Sequence, residues 1–361
     1  AWLGFAYAGY PLLLWLLGWL SPRRVGRADR FPPLSVIIAV HDGERVLARK
    51  LEATLAQGYP GPVEVIVSSD GSTDATAAIA ASFAGRGVRL VEHRERQGKE
   101  AAQARAIPLA TGELLVFTDV TAELEPGALR ALARPFADPT VGAVSSEDAV
   151  DPEGGEGAYV RYEMALRRLE SRATTLIGVS GSCFAIRREL ATPWPTDLAS
   201  DFRVALEAAR RGWRSVSEPD ARARFGVTRE LGAEWQRKVR THARGIAVLL
   251  AHRDLLHPRH GRVAFSVWGH KLARFTSPFA LLLLFAASLA LAERGAAGRA
   301  LLAAQLTGYA IGTLALLSPA LGRLRIARLA GFFLLVNAAT FAAWLRHLRG
   351  ERTVVWQPTQ R

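Results

Sequence analysis

The sequence holds a single cysteine, Cys183, among 361 residues. That excludes a disulfide framework and a Cys-rich zinc module. There is no Gly-x-Gly-x-x-Gly after the first apolar run and no Gly-x4-Gly-Lys-Ser/Thr anywhere. Those two absences argue against a dinucleotide oxidoreductase and a P-loop ATPase. The eight histidines never take the His-Glu-x-x-His spacing of a zinc hydrolase. No basic–aromatic module of the nucleic-acid-binding kind is present, so no nucleic-acid partner is expected. Internal repeats and low-complexity tracts are also lacking.

Charge itself is missing from four stretches: Ala1–Leu20, Phe275–Ala292, Ala300–Gly322 and Leu329–Leu345, which are 20, 18, 23 and 17 residues long. A helix needs ~20 apolar residues, within about 17 to 25, to cross the hydrocarbon core. Four runs of this length, three of them clustered near the C-terminus, read as membrane spans rather than buried core helices. The first has neither a basic start nor an Ala-x-Ala site, so it reads as an anchor and not as a cleaved signal. The remaining composition, 50% hydrophobic and 22% charged, excludes a disordered chain. At ~150 residues per domain the length allows about two domains.

The net charge of +13 is unevenly placed. Arg222 to Arg274 carries twelve Lys/Arg against three Asp/Glu, and Arg23 to Arg30 has four Arg against one Asp. Basic residues near span ends favour the cytoplasmic side, and such a segment suits either anionic lipid or a phosphate ligand. The expected division is an N-terminal transmembrane helix (1–22), a cytoplasmic α/β domain (31–230), basic interfacial helices (231–274), C-terminal transmembrane helices (275–346) and a tail (347–361). One conflict follows. Three spans after a cytoplasmic domain put the tail outside, yet it carries Arg346, Arg349, Arg352 and Arg361. Of the four runs, the 17-residue one is the weakest span.

Within 31–230, short β-branched runs alternate with Ala-rich helical stretches, the α/β pattern. Leu34–Val40 reads as a buried strand, followed by a helix from about Arg45 to Gln57. Val63–Ser68 is a second strand, leading into Ser69-Asp-Gly-Ser-Thr-Asp74 and a helix with Ser72 or Thr73 expected as N-cap. Val88–Val91 is a third strand. Gln97-Gly98-Lys99 opens a helix reaching Leu109, and Glu113–Thr118 is a fourth strand ending at Asp119. Right-handed crossovers then give a mainly parallel sheet, whose ligands bind beyond the C-terminal strand ends. His41, Asp70 and Asp119 occupy such ends. A carboxylate there can accept hydrogen bonds from a ribose or base, or hold a hard cation on phosphates. The stretch Arg161–Arg172 reads as an amphipathic, half-buried helix, and Cys183 as a small buried residue.

Taken in order, Ser35-Val-Ile-Ile-Ala-Val-His-Asp-Gly-Glu44, Ser69-Asp-Gly-Ser-Thr-Asp74, Gly98-Lys99 and Phe117-Thr-Asp119 resemble the nucleotide-sugar half of family-2 glycosyltransferases. Ala185-Ile-Arg-Arg188 and Ser200-Asp-Phe202 resemble the acceptor half. The apolar C-terminal runs and Trp356-Gln-Pro-Thr359 resemble the membrane-integrated branch that includes cellulose, hyaluronan and poly-N-acetylglucosamine synthases. The resemblance implies a GT-A fold, a nucleoside diphosphate sugar donor (often a UDP-sugar) and Mg²⁺ or Mn²⁺. It implies that Ala39, His41 and Glu44 line the base pocket and that Asp70 contacts uracil or ribose. Lys99 would reach the nucleotide, Asp119 would hold the metal, and Asp201 would be the general base. Together with the Ala- and Arg-rich composition it implies a bacterial inner-membrane protein.

Two departures qualify the match. Asp119-Val-Thr121 lacks the second acid of Asp-x-Asp, with Glu123 a candidate substitute. The Gln-x-x-Arg-Trp of processive relatives becomes Arg237-Lys-Val-Arg240-Thr241. Arg240 still offers a bidentate phosphate clamp, and Arg237 a second. The missing Trp removes a sugar-stacking platform. The expected function is an inverting transfer of a sugar to a glycan or lipid-linked acceptor at the bilayer. The alternatives are a processive polysaccharide synthase and an inactive nucleotide-sugar-binding scaffold.

Overall fold

The computed structural model describes residues 1–149, 155–224 and 231–351. Trp356–Thr359, Arg352 and Arg361 lie outside the described residues. Strands β1 (Leu34–Val40), β2 (Val63–Asp70), β3 (Val88–His93) and β4 (Leu114–Asp119) pair in parallel in the order β3-β2-β1-β4. The sheet continues through β7 (Cys183–Arg187), β6 (Val141–Ala149), β8 (Arg214–Arg224) and the two-residue β5 (Glu123–Leu124). β7 is antiparallel to both β4 and β6, β6 and β8 are parallel, and β5 is antiparallel to β8.

β1, β2 and β4 are largely apolar runs because both faces of the sheet are covered there, whereas the edge strand β3 exposes Arg89 and Glu92. Val36, Ile38, Val65, Val67, Leu114 and Val116 bury on one face, against Leu47 and Leu51 of helix Leu47–Leu55. Ile37, Ile66, Leu115 and Phe117 bury on the other, against Phe184, Val204 and Ala208. Register sets Ile37 opposite both Ile66 and Phe117, so their side chains share one face. The second helix begins at Thr76, and its free amide is taken by Asp74 Oδ1 at 2.9 Å. Asp74, and not Ser72 or Thr73, is therefore the capping side chain: those two point at the neighbouring loop, where Ser72 Oγ accepts from Asp42 N.

A third apolar cluster joins this domain to the rest of the chain. Ile177, Phe202 and Leu206 pack on Ile246 and Leu249 of the basic helix Leu231–Ala251, and on Val267, Phe275 and Ala343. The amphipathic stretch predicted around Arg161–Arg172 is the long helix Gly155–Ala173. Leu166 and Ala173 on it pack against Tyr10 and Leu14 of the first apolar helix, Trp2–Leu20. Tyr10 is fully buried, and its hydroxyl donates to Glu170 Oε1 at 2.6 Å.

Among the described residues three helices are long and apolar enough to cross a membrane: Trp2–Leu20, Ala296–Leu317 and Arg325–Leu348. Only 6% of the apolar window of Ala296–Leu317 is covered by protein, as expected of a lipid-facing helix. The ranking of the runs changes here. Leu329–Leu345 extends at both ends into a 24-residue helix. The Phe275–Ala292 run instead gives a helix of 16 residues, Ser277–Ala292, about 24 Å long at ~1.5 Å per residue. It passes the length test only when joined across a 58° bend to Arg262–Phe275. Thr276 and the Ser277-Pro278 pair fall at that break, where proline cannot donate to the preceding turn.

The first helix is seated on backbone. A Cβ on Gly269, in Arg262–Phe275, would fall 2.0 Å from Tyr10 Cδ2. We expect Gly269→Leu to cost about 1–3 kcal/mol by overpacking. Its signature is a lowered thermal midpoint with protease sensitivity gained in Ser21–Phe31, and Gly269→Ser should be milder.

Candidate active site

Beyond the C-terminal ends of β1 and β4 lies a cavity of about 1060 Å³. One wall is the sheet rim: His41 to Glu44, Thr73, Asp74 and Asp119 to Ala122. The opposite wall is the basic helix, with Arg237, Arg240 and Arg244, and the juxtamembrane helix with Lys271 and Arg274. Lys99, Gly181 and Asp201 stand between them. The volume lies at or above the ~300–1,000 Å³ usual for one small-molecule ligand.

The sheet-side wall is cross-braced. Asp42 adopts a positive φ of 47°, and its Oδ1 accepts from Thr73 N at 2.8 Å. Gly43 N donates to Thr76 Oγ1 at 2.8 Å, and Glu44 N to Asp74 Oδ2 at 3.0 Å. His41 lines the cavity with its Nδ1 2.8 Å from the Asp70 carbonyl. His41 and Glu44 thus both line the cavity. Ala39 and Asp70 are not among the lining residues.

Asp70 faces inward. Its carboxylate accepts from Gln97 N at 2.9 Å and Gly98 N at 2.6 Å and is 4% exposed. Gly71 permits this: its φ is +66°, and a Cβ there would lie 2.7 Å from Arg96 N. Asp70 therefore pins the turn that presents Lys99, and its contact with a base or ribose finds no support in this arrangement.

Lys99 Nζ lies 2.5 Å from Asp119 Oδ1 and donates to Gly181 O at 3.1 Å. Burial works against its charge, but Asp119 beside it holds its pKa above the ordinary lysine value. Asp119 is backed by a buried lysine. Lys50 Nζ donates to Thr118 Oγ1 at 2.8 Å and to Ala122 O at 2.6 Å, fixing the Asp119–Ala122 turn from below. Burial pushes Lys50 down to about 8 and the neighbouring Cys183 thiol up to about 12. Cys183 is fully buried, as read from sequence.

Among the described residues no group of three His, Cys, Asp or Glu converges to hold a metal. The donors present nevertheless fit a hard cation bridging phosphates, which needs only one or two carboxylates besides the substrate. Asp119, 34% exposed in its side chain, faces the cavity beside Thr121. Glu123 does not substitute for the missing acid: it lies in β5, pairs with Arg49 at 2.7 Å and does not line the cavity. A further lining acid, unforeseen from sequence, is Asp148. It accepts from Ser180 Oγ at 2.5 Å, and burial raises its pKa.

Asp201 sits in the first turn of helix Ser200–Arg210. Its Oδ1 accepts from Phe202 N at 2.8 Å. Its Oδ2 would lie 3.2 Å from a Cβ on Gly181, so Gly181 leaves that oxygen room. Glu100 ties this helix to the basic one: its Oε1 accepts from Ser200 N at 3.2 Å and pairs with Arg244 Nη2 at 2.5 Å. The spacing of Arg237, Arg240 and Arg244 sets all three on one face of the helix, and Arg244 is the one that Glu100 holds. Arg237 is engaged by Glu234 at 2.8 Å. Arg240 has no carboxylate within ion-pair reach among the described residues, and burial lowers its pKa.

Two predictions follow from this wall. Asp70→Ala strands two backbone donors at about 1–3 kcal/mol, so thermal stability and nucleotide affinity by calorimetry should fall together although Asp70 does not line the cavity. His242 is the second. Thr340 Oγ1 donates to Val336 O, so His242 Nδ1 carries the proton and donates to Thr340 Oγ1 at 2.7 Å. Burial, then the charge of Lys238, pushes the imidazole down to about 3. The unfolded chain protonates His242 near its ordinary value of ~6.5 while the fold does not. Stability should therefore fall as pH drops from ~6.5 towards 3, and the midpoint–pH curve of His242→Gln should be flatter there.

Comparison with known proteins gives this site a context. Residues 35–192 match the family model described as Glycosyl transferase family 2. An uncharacterized protein of Mycobacterium tuberculosis is 32% identical over 143 residues, 39% of this chain and 44% of that protein. An N-acetylglucosaminyltransferase of a Rhizobium species is 26% identical over 236 residues, 59% of this chain and 52% of that one. The chain thus spans about half the length of the curated relatives it matches. A mannosyltransferase from Pyrobaculum calidifontis, solved with GDP-Man and Mn²⁺, superposes with a TM-score of 0.74 at 27% identity, covering 96% of this chain and 97% of that one. The chain therefore carries a glycosyl transferase family 2 domain of GT-A fold, joined to helices long and apolar enough to cross a membrane.

Proposed function

We propose that the protein is an inverting glycosyltransferase that moves a sugar from a nucleoside diphosphate donor to a glycan or lipid-linked acceptor at the membrane. The observation that carries this reading is the meeting of Asp119, Lys99, Asp201 and Arg240 around one cavity. Breaking the sugar–phosphate bond leaves charge on the β-phosphate. Arg240, forked and without a carboxylate partner among the described residues, suits that charge, and Lys99 stays cationic at neutral pH beside Asp119. Asp119, with Thr121 next to it, would hold a Mg²⁺ or Mn²⁺ ion, which supplies further charge stabilisation to the leaving diphosphate. An alcohol is a poor nucleophile, so Asp201 Oδ2 takes the proton of the acceptor hydroxyl. A base facing the bond being broken gives direct displacement and inversion, by the logic of inverting hydrolysis with an alcohol in place of water.

The GDP-Man and Mn²⁺ held by the Pyrobaculum enzyme support a nucleotide sugar and a divalent ion here. Thr241, where processive relatives carry Trp, favours transfer of one or a few sugars over a long polymer. The short helix Ser277–Ala292 bears on topology. If it dips without crossing, Ala296–Leu317 and Arg325–Leu348 return the tail to the side of the catalytic domain. Arg294, Arg299, Arg346 and Arg349 then lie on the side of the catalytic domain and Arg323, Arg325 and Arg328 on the other, a bias of only four against three by the positive-inside rule.

Asp201→Asn should lower transfer by about 10²–10⁴-fold with nucleotide affinity nearly unchanged, read by UDP or GDP release across a donor panel with Mg²⁺ or Mn²⁺. Undiminished turnover would remove Asp201 from the mechanism. Nucleotide binding by the unmutated protein without release, whatever the acceptor, would favour the scaffold instead.

A further inference from the structure

The cavity has more positive charge than the donor accounts for. Most of its cations are matched: Arg244 by Glu100, Arg274 by Glu163, Arg237 by Glu234 and Lys99 by Asp119. Lys271 is different. Among the described residues no carboxylate lies within ion-pair distance of its ammonium. The nearest candidate, Glu163, is already taken at both oxygens, Oε1 by Arg274 and Oε2 by His270 Nε2 at 3.3 Å. Asp148 is held by Ser180 and faces Arg167 at 4.0 Å. What Lys271 does touch is the ring of Phe202, with Nζ 4.8 Å from its centroid, and its Nζ would lie 3.5 Å from a Cβ on Gly178.

Those neighbours fix its place. Phe202 follows the proposed base, Asp201, and Val179 N donates to the Asp201 carbonyl at 2.9 Å. Lys271 therefore stands close to Asp201, on the far side of the cavity from the sheet rim that carries Asp119. It also lies in Arg262–Phe275, shortly before the 58° bend into the apolar helix Ser277–Ala292, at the level where lipid-facing surface begins.

Resting on the transferase reading above, we propose that Lys271 anchors a phosphoryl group on the acceptor, next to the hydroxyl that Asp201 deprotonates. The acceptor is then an anionic hydroxyl compound, borne by a membrane lipid or free in solution. An unpaired, partly desolvated ammonium discriminates such a ligand from its neutral analogue, because the phosphoryl group supplies the missing counter-charge.

The test uses the full chain in detergent, saturated with UDP or GDP, and calorimetric titration with decyl phosphate, decanol and glycerol phosphate at concentrations below micelle formation. Decyl phosphate should bind at least about tenfold more tightly than decanol. Lys271→Met should abolish that preference, Lys271→Arg should keep most of it, and nucleotide affinity should be the same in all three proteins. Tighter binding of decyl phosphate than of glycerol phosphate identifies the source as lipid; the reverse identifies a soluble phosphate ester. Equal binding of decyl phosphate and decanol, or an unaltered preference in Lys271→Met, overturns the proposal. So does a loss of nucleotide affinity in Lys271→Met, which would place the side chain on the donor. Failure of the unmutated protein to bind any nucleotide or nucleotide sugar would instead sink the transferase reading itself.

Discussion

The site depends on one buried ion pair, Glu100 with Arg244. Glu100 opens the helix that also presents Lys99, and Arg244 belongs to the helix that forms the far wall. Both side chains are largely withdrawn from water, at 3% and 16% exposure. Breaking such a pair by deleting one partner leaves a buried charge and costs on the order of 3–5 kcal/mol. The contact is reinforced next door, where a Cβ on Gly245 would lie 2.8 Å from the Phe275 ring. Together with the packing of Phe202 and Leu206 on Ile246 and Leu249, this junction closes the cavity between the rim of the sheet and the basic helix.

Much of the parallel half of the sheet was legible because β1, β2 and β4 are buried on both faces and read as largely apolar runs. β1, β2 and β4 end close to where the residue pattern put them, and Lys99, Asp119, Asp201 and Arg240 do come together. The second half was not legible. β6, β7 and β8 pair antiparallel and parallel in an order that no local pattern encodes, and Asp148 reaches the cavity only through that order. Asp70 was misplaced for a different reason. A carboxylate at a strand end can turn either towards a ligand or towards the free amides of the next loop, and the +66° φ of Gly71 decides for the amides. Lys50 carried a readable signal, since it falls on the apolar stripe of Leu47, Leu51 and Thr54. A lysine at such a position has a buried task.

Electrostatically the cavity resembles two half-sites back to back. Around Asp119 a lysine balances a carboxylate, leaving a region that an added cation and a diphosphate can enter together without net excess. Around Asp201 the balance is tilted towards positive charge, with Phe202 shielding it from water.

The seating of Tyr10 on the bare backbone of Gly269 has a mechanical consequence. With no side chain between them, the first apolar helix and the juxtamembrane helix behave as one lever, and Lys271 rides two residues from the fulcrum. A change in the tilt of that first helix, such as a bilayer of different thickness imposes on a spanning helix, would therefore shift Lys271 and with it one wall of the cavity.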